Sequence, residues 1–187
     1  MKQDFETPEQ IGKQLVRAAQ DRHHAWRTPV LATVDASGMP NARTVVLQDV
    51  HRTGATAVAC ALDIYADRRS PKTSELAAQP MACLVFWSAR VGWQLRVRVV
   101  VSVKTDGPLV ASLWQLVRQT RSGGGYMAVP PPGASLPRDY STQALSTADH
   151  ETQSTYFAVL KAQVLEIDWL ELRREQHRRA KMVGNDW

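Results

Sequence analysis

Met81-Ala82-Cys83-Leu84-Val85-Phe86-Trp87 and, after a short turn, Trp93-Gln94-Leu95-Arg96-Val97-Arg98-Val99 decide the fold class. The first run is continuously apolar, as expected of a strand buried on both faces. The second alternates with period two, so one face is core and the other polar. Upstream, Pro29-Val30-Leu31-Ala32-Thr33-Val34 and Ala42-Arg43-Thr44-Val45-Val46-Leu47 are β-rich runs joined by Asp35-Ala36-Ser37-Gly38-Met39-Pro40, a turn-forming composition that predicts a hairpin. Another strand is expected across Thr56 to Leu62, and Ser70-Pro71 opens a short helix that stops at Pro80.

Helices flank this pattern. Thr7-Pro8-Glu9-Gln10 combines a cap, a first-turn proline and a capping box, with Ile11, Leu15, Ala18 and Ala19 at helical spacing to about Ala25. From Pro108, Leu109, Leu113, Leu116 and Val117 return to that spacing. Residues 121–150 are rich in Gly, Pro and Ser and read as a long loop, both functional and mobile. Tyr156 to Asp168 alternates again and is β-branched. The expectation is a mainly β protein, a six-stranded antiparallel barrel with peripheral helices, forming a single domain over 1–187 with its first helix inside 1–26.

At 187 residues and 44% hydrophobic, the chain can bury one sizeable core but not two comfortable ones. Its first residues are charged and no apolar run nears the length of a membrane span, so neither leader nor membrane is expected. Cys60 and Cys83 lie in apolar runs, which suits reduced thiols and a cytoplasmic address. A net charge of +5 and a pI near 9.5 raise three kinds of anionic partner: nucleic acid, membrane surface or a phosphorylated small molecule. The basic residues cluster at Arg68-Arg69, Arg96 and Arg98, Arg118 to Arg121 and Arg173 to Lys181, a pattern suited to discrete anion pockets. No metal is expected, because the five histidines and two cysteines show no ligand spacing. Gly123-Gly124-Gly125 lacks the Lys-Ser/Thr of a nucleotide loop and reads as a flexible linker.

Tyr65-Ala66-Asp67-Arg68-Arg69-Ser70-Pro71-Lys72 delivers two arginines, a serine and a lysine to a helix start, where free N–H groups favour an anion. It reads equally as a phosphate cradle or as a solvated basic loop. Alternation places Arg43 on the face of Val45 and Leu47, where a charge is costly unless paired. Either an anion meets it there, or an edge position leaves it in water. Gln94 carries the same ambiguity, although an amide suits the polar edge of a planar heterocycle.

Taken together, these segments resemble the pyridoxamine 5′-phosphate oxidase superfamily, the FMN-binding split barrels. The resemblance covers Pro29 to Gln94 and resumes from Tyr156 to Met182. It implies an oxidoreductase-related homodimer with FMN between subunits. The family's Arg-x-Val-x-Leu strand is matched by Arg43-Thr44-Val45-Val46-Leu47, followed by Gln48, and its phosphate element by Tyr65, Ala66, Arg69, Ser70 and Lys72. Gln94 and Lys181 stand where the family reaches the flavin from the other subunit, and Trp169 near where a Trp packs beside that contact. Arg118, Ser122 and Arg178 would serve an anionic substrate. The segment His177-Arg178-Arg179-Ala180 is similar to the ending of a small branch of these flavoproteins.

The departures concern activity. Gln48 replaces a Lys that serves cofactor and substrate, Ala66 replaces a hydroxyl residue, Trp114 stands for a Tyr, and the terminal Arg-Leu-Ala-Pro is absent. The resemblance thus implies a flavin that accepts a hydride equivalent from a stacked substrate, with no catalytic side chain assigned. Two other classes stay open: a flavin-binding module with little turnover, and a nucleic-acid-binding barrel using Trp87, Trp93 and Arg96.

Overall fold

A computed structural model describes residues 7–52, 60–120, 123–127, 131–134, 156–172 and 176–184. The elements in chain order are α1 (Thr7–Gln20), β1 (Val30–Val34), β2 (Pro40–Thr44), β3 (Leu47–Arg52), β4 (Cys60–Asp67), α2 (Pro71–Ala78), β5 (Met81–Ser88), β6 (Trp93–Lys104), α3 (Pro108–Val117), β7 (Phe157–Glu171) and β8 (Arg178–Val183). A 3-10 turn spans Gly123–Tyr126. The strands form one antiparallel sheet in the order β2-β1-β5-β6-β7-β4-β3, with β8 also on β7. β7, fifteen residues long, pairs with β6 along its length, with β4 over Phe157 to Gln163 and with β8 over Glu166 to Glu171.

The mainly β, antiparallel expectation holds, with eight strands among the described residues in place of six. One reason is that the expected strand Ala42 to Leu47 divides. β2 ends at Thr44 on β1, and β3 begins at Leu47 on β4. Between them the Val45 N–H donates to the Pro29 carbonyl at 2.9 Å and the Leu47 N–H to the Arg27 carbonyl at 2.9 Å, so the chain turns a corner while its backbone stays paired. Val45 and Leu47 remain buried through the corner, which preserves the alternation that suggested one strand. The basic C-terminal segment supplies β8. Among the described residues, β2 and β3 share no ladder, so the sheet is not closed. Of the strand expected over Thr56 to Leu62, only Cys60 to Leu62 are described, within β4.

Three further differences have packing causes. β5 is buried on one face only: Leu84 and Phe86 are sealed, whereas Met81 and Trp87 are 46% and 45% exposed. α1 stops at Gln20, and tight turns carry the chain to Arg27. α3 docks through Val110, Trp114 and Val117 onto Phe157 and Val159, leaving Leu109 and Leu116 exposed. Trp114 selects that face because its ring meets Phe157 at 5.5 Å. The main core lies between the inward rows of the sheet and α1, where Ile11 and Leu15 join Leu31, Leu47, Leu62, Leu95, Val97 and Ile167, each contributing about 1.5–3 kcal/mol by burial.

On the outward face Asp168 of β7 clasps its neighbours. It accepts from Arg179 of β8 at 2.8 and 2.6 Å and from Arg96 of β6. The Arg179 hydrogen bond, aided by Arg96, overcomes the effect of burial and holds the Asp168 carboxyl well below the usual carboxylate range. A carboxyl depressed on folding stabilises above its unfolded value and loses that contribution as pH falls toward its folded one. Stability against urea should therefore decline below about pH 4. Asp168→Asn should lower stability at neutral pH by about 1–2 kcal/mol, a modest cost because both arginines stay half-exposed, and should flatten the acid limb of the profile.

Candidate functional site

The β4 ladder ends with Asp67 opposite Phe157, and Arg68 to Ser70 turn the chain directly into α2, with Pro71 in its first turn. Ser70, almost fully buried, does not cap the helix with its side chain. Its hydroxyl donates to the Asp67 carbonyl at 2.7 Å and accepts from Lys72 Nζ at 3.1 Å. Burial, then the charge of Arg43, pushes the Lys72 ammonium down. Among the described residues no carboxylate lies within ion-pair distance of Lys72. A half-buried cation held this way is suited to receive an anion.

Lys72 lines a cavity of about 310 Å³ with the corner residues Thr44, Val45 and Val46 and the strand end Tyr65, Ala66 and Asp67. Gly125, Tyr126 and Pro132 close another side. The sequence signalled none of those three as site residues, and the triple glycine is not the linker expected. A Cβ on Gly123 would fall 2.7 Å from the Val117 carbonyl oxygen, so only glycine lets the chain double back on α3 and bring Tyr126 over. Tyr126 packs edge-on to Phe157 at 5.3 Å, and burial raises its hydroxyl to about 12, which keeps it a neutral donor.

The two arginines of the expected cradle carry their own counter-ions. Arg69 grips Asp67 through Nε at 3.0 Å and a terminal nitrogen at 2.6 Å, and lies over the Tyr156 ring at 3.5 Å. Arg43 binds Glu75 of α2 at 2.8 Å and also donates to Thr33 Oγ1. Glu75 further accepts from Asn41 at 2.9 Å and Thr33 at 2.5 Å; these contacts and Arg43 outweigh the burial that would raise its carboxyl and hold it below its ordinary value. An internal carboxylate thus answers the charge of Arg43, and neither an external anion nor open water is needed to explain it. Glu75 was not legible as a site residue, because it lies 32 positions from Arg43 in the chain, and Asp67, only two positions from Arg69, stands in a segment read for its cations.

The remaining expected residues stand elsewhere. Gln94 pairs with Leu170, eleven residues further along β7 than Val159, the partner of Tyr65. That separation is roughly 35 Å of extended strand, well beyond the reach of one mononucleotide. Arg179 shares the row of Gln94 and Leu170, whereas Lys181 lies beside Asp168 and 3.6 Å from Glu166. Trp169 faces the core, edge-on to Trp93 at 5.4 Å, with Arg178 over its ring. Gln48, on β3, meets Arg27 at 3.4 Å. Arg118 is exposed at the end of α3, and Ser122 lies outside the described residues.

The Lys72 cavity fits a phosphorylated flavin. Lys72, which has no carboxylate partner among the described residues, suits a phosphate, and Val45, Val46 and Tyr65 offer apolar surface for a ring. Residues 10–105 match the family model described as pyridoxamine 5'-phosphate oxidase, FMN-binding domain. A pyridoxine/pyridoxamine 5'-phosphate oxidase of Rhodopseudomonas palustris is 37% identical over 93 residues, which are 50% of this chain and 40% of that protein. That of Anaeromyxobacter dehalogenans is 31% identical over 109 residues, 58% of this chain and 52% of its own. The chain thus matches only about half or less of the length of these relatives. The fold is shared with a pyridoxamine 5'-phosphate oxidase-related, FMN binding protein of Nostoc punctiforme, at a TM-score of 0.68 and 20% identity over 93% of this chain and 95% of that one. It is shared also with PhzG of Burkholderia lata, at a TM-score of 0.69 and 16% identity over 97% and 91% of the two chains. The chain belongs to the family of pyridoxamine 5'-phosphate oxidase FMN-binding domains, and its cofactor is FMN.

Proposed function

We propose that the chain works as a single-domain subunit of a homodimeric, FMN-dependent oxidoreductase acting on a small anionic substrate. The observation that carries this reading is the division of the site along β7. Lys72 and Ser70 sit at one end and Gln94 at the other, too far apart to meet on one flavin within one chain. Two copies packed through the outward face of β1 and β5 would let the second end of one chain complete the cavity of the other. That face is apolar where solvent-facing strands are usually polar: Val30, Val34, Met81 and Trp87 are 38–46% exposed, and Val85 and Cys83 lie between them.

In this arrangement Lys72 holds the phosphate by a charge-assisted hydrogen bond, and Ser70 adds a second once its hydroxyl turns from the Asp67 carbonyl. Arg43 and Arg69, already neutralised by Glu75 and Asp67, act as rigid walls and supply little net charge. Thr44 to Gln48 and Tyr65 to Ala66 border the ring, and Gln94, with Arg179 or Lys181 of β8, would stand at its polar edge. Trp169 supports that end from within the core. Arg118 and Arg178, with Ser122, remain for an anionic substrate. Bound FMN supplies the hydride chemistry.

A second reading, FMN binding with little turnover, is favoured by two residues. Trp114, where the family has a Tyr, is buried on Phe157, and Gln48 cannot carry the charge of the Lys it replaces. Anaerobic addition of pyridoxamine 5′-phosphate or NADPH separates the two: bleaching of the flavin absorption supports the oxidoreductase, and its persistence with FMN still bound supports the binding module.

Two variants test the assembly. Lys72→Ala should weaken FMN binding about tenfold to a hundredfold with unchanged thermal stability, and unchanged affinity would remove the phosphate assignment. Trp87→Glu should give monomers in sedimentation and release FMN, while changing the stability of the folded chain by no more than about 0.5 kcal/mol because the ring is half in solvent. A dimer that survives this change does not use the β5 face.

A further inference from the structure

A second cleft, of about 580 Å³, lies between the end of α1 and the β5–β6 turn. Its floor includes Trp26 and Trp93 and its rim includes Arg17, Asp21, His24 and Arg90. It is separate from the Lys72 cavity, with which it shares no lining residue. It also opens on the other side of the sheet from Gln94, because Trp93 follows the inward row of Leu95 and Val97.

One donor in the floor lacks an acceptor. Trp26 is 1% exposed, and its indole N–H has no hydrogen-bond partner among the described residues. Trp93 differs, since its indole N–H donates to Glu171 at 3.1 Å. A buried donor without an acceptor is costly and uncommon in folded proteins. The histidine beside it cannot serve: His24 Nδ1 already accepts the Trp26 backbone N–H at 3.1 Å. Its Nε2 must then carry the proton and donate to Gln14 Oε1 at 2.9 Å. Burial, with Arg17 and Arg90 near and Asp21 opposing, pushes the imidazolium down, in keeping with this neutral tautomer.

Among the described residues the rim is left with two guanidinium groups against one carboxylate, and Asp21 already accepts the His23 N–H at 2.9 Å. Trp26 and Trp93 form an aromatic wall, their centroids 6.4 Å apart and their planes inclined by 33°. We infer that this cleft binds a planar aromatic carboxylate, its ring against Trp93 above the sealed Trp26 and its carboxylate between Arg17 and Arg90. The volume lies within the range of small-molecule sites, and a guanidinium matches a carboxylate in a bidentate manner. The inference goes beyond the flavin site and does not depend on it.

The test is calorimetric titration of the full-length, FMN-loaded protein with 2-naphthoate, with 2-naphthamide as the uncharged control. Saturable binding with a dissociation constant of about 1 mM or tighter is expected, with the amide about tenfold weaker. Arg90→Gln, a change on an exposed turn, should weaken naphthoate about tenfold and leave FMN affinity unchanged. In the 15N-labelled protein the Trp26 indole N–H resonance, identified by its loss in Trp26→Phe, should shift on titration. Absence of saturation up to about 10 mM, equal affinity for the amide, displacement of FMN by naphthoate, or indifference to Arg90→Gln would each overturn the assignment.

Discussion

The pairing of β7 with three neighbours is the constraint on which the rest of the molecule depends. A fifteen-residue strand that serves β6 throughout, β4 at its start and β8 at its end joins regions that would otherwise be separate ribbons. One of its rows, Leu160, Ala162, Val164, Ile167 and Trp169, faces the main core, its parity kept by a register shift at Leu165, while Phe157 and Val159 on the opposite face seat α3. Its outward Asp168 ties the second half together by charge. Because the strand is longer than a mononucleotide, it also sets the functional geometry. The Lys72 cavity hangs from one end and the Gln94 row from the other.

Charge in the cavity follows a simple division. Arg43 and Arg69 are fixed by carboxylates that are themselves buried, so they hold shape. Among the described residues Lys72 has a hydroxyl and no carboxylate within hydrogen-bond distance, so it holds a net charge that a ligand can use. Such a site keeps its form when empty, because the paired groups satisfy one another, and still attracts an anion. The second cleft reaches a comparable state by another route, with a neutral histidine and two rim arginines.

Much of this was legible beforehand. The hairpin, the Ser70-Pro71 helix start and the alternating strand after Trp93 follow from local preferences: turn residues, a proline that fits the first helical turn, and period-two burial. The segments Arg43 to Gln48 and Tyr65 to Lys72 were visible as a possible anion site, because local spacing places them on a strand and at a helix start. The corner at Val45 and Val46 was not, since burial alternates through it as through a straight strand. Nor was the place of Gly123, whose need for glycine arises from a close approach to α3.

By itself, then, the sequence determined the element types, the antiparallel β class and the pool of residues from which a phosphate site could be made, because these depend on neighbours a few positions away. Tertiary structure alone decided which charges are spent and which are available. Arg43 meets Glu75 across 32 positions, Arg96 meets Asp168 across 72, and no local pattern encodes either pairing. It also decided that β5, apolar on both sides, buries only one of them within the chain, because covering the second face depends on what packs against the sheet and not on the strand's own residues.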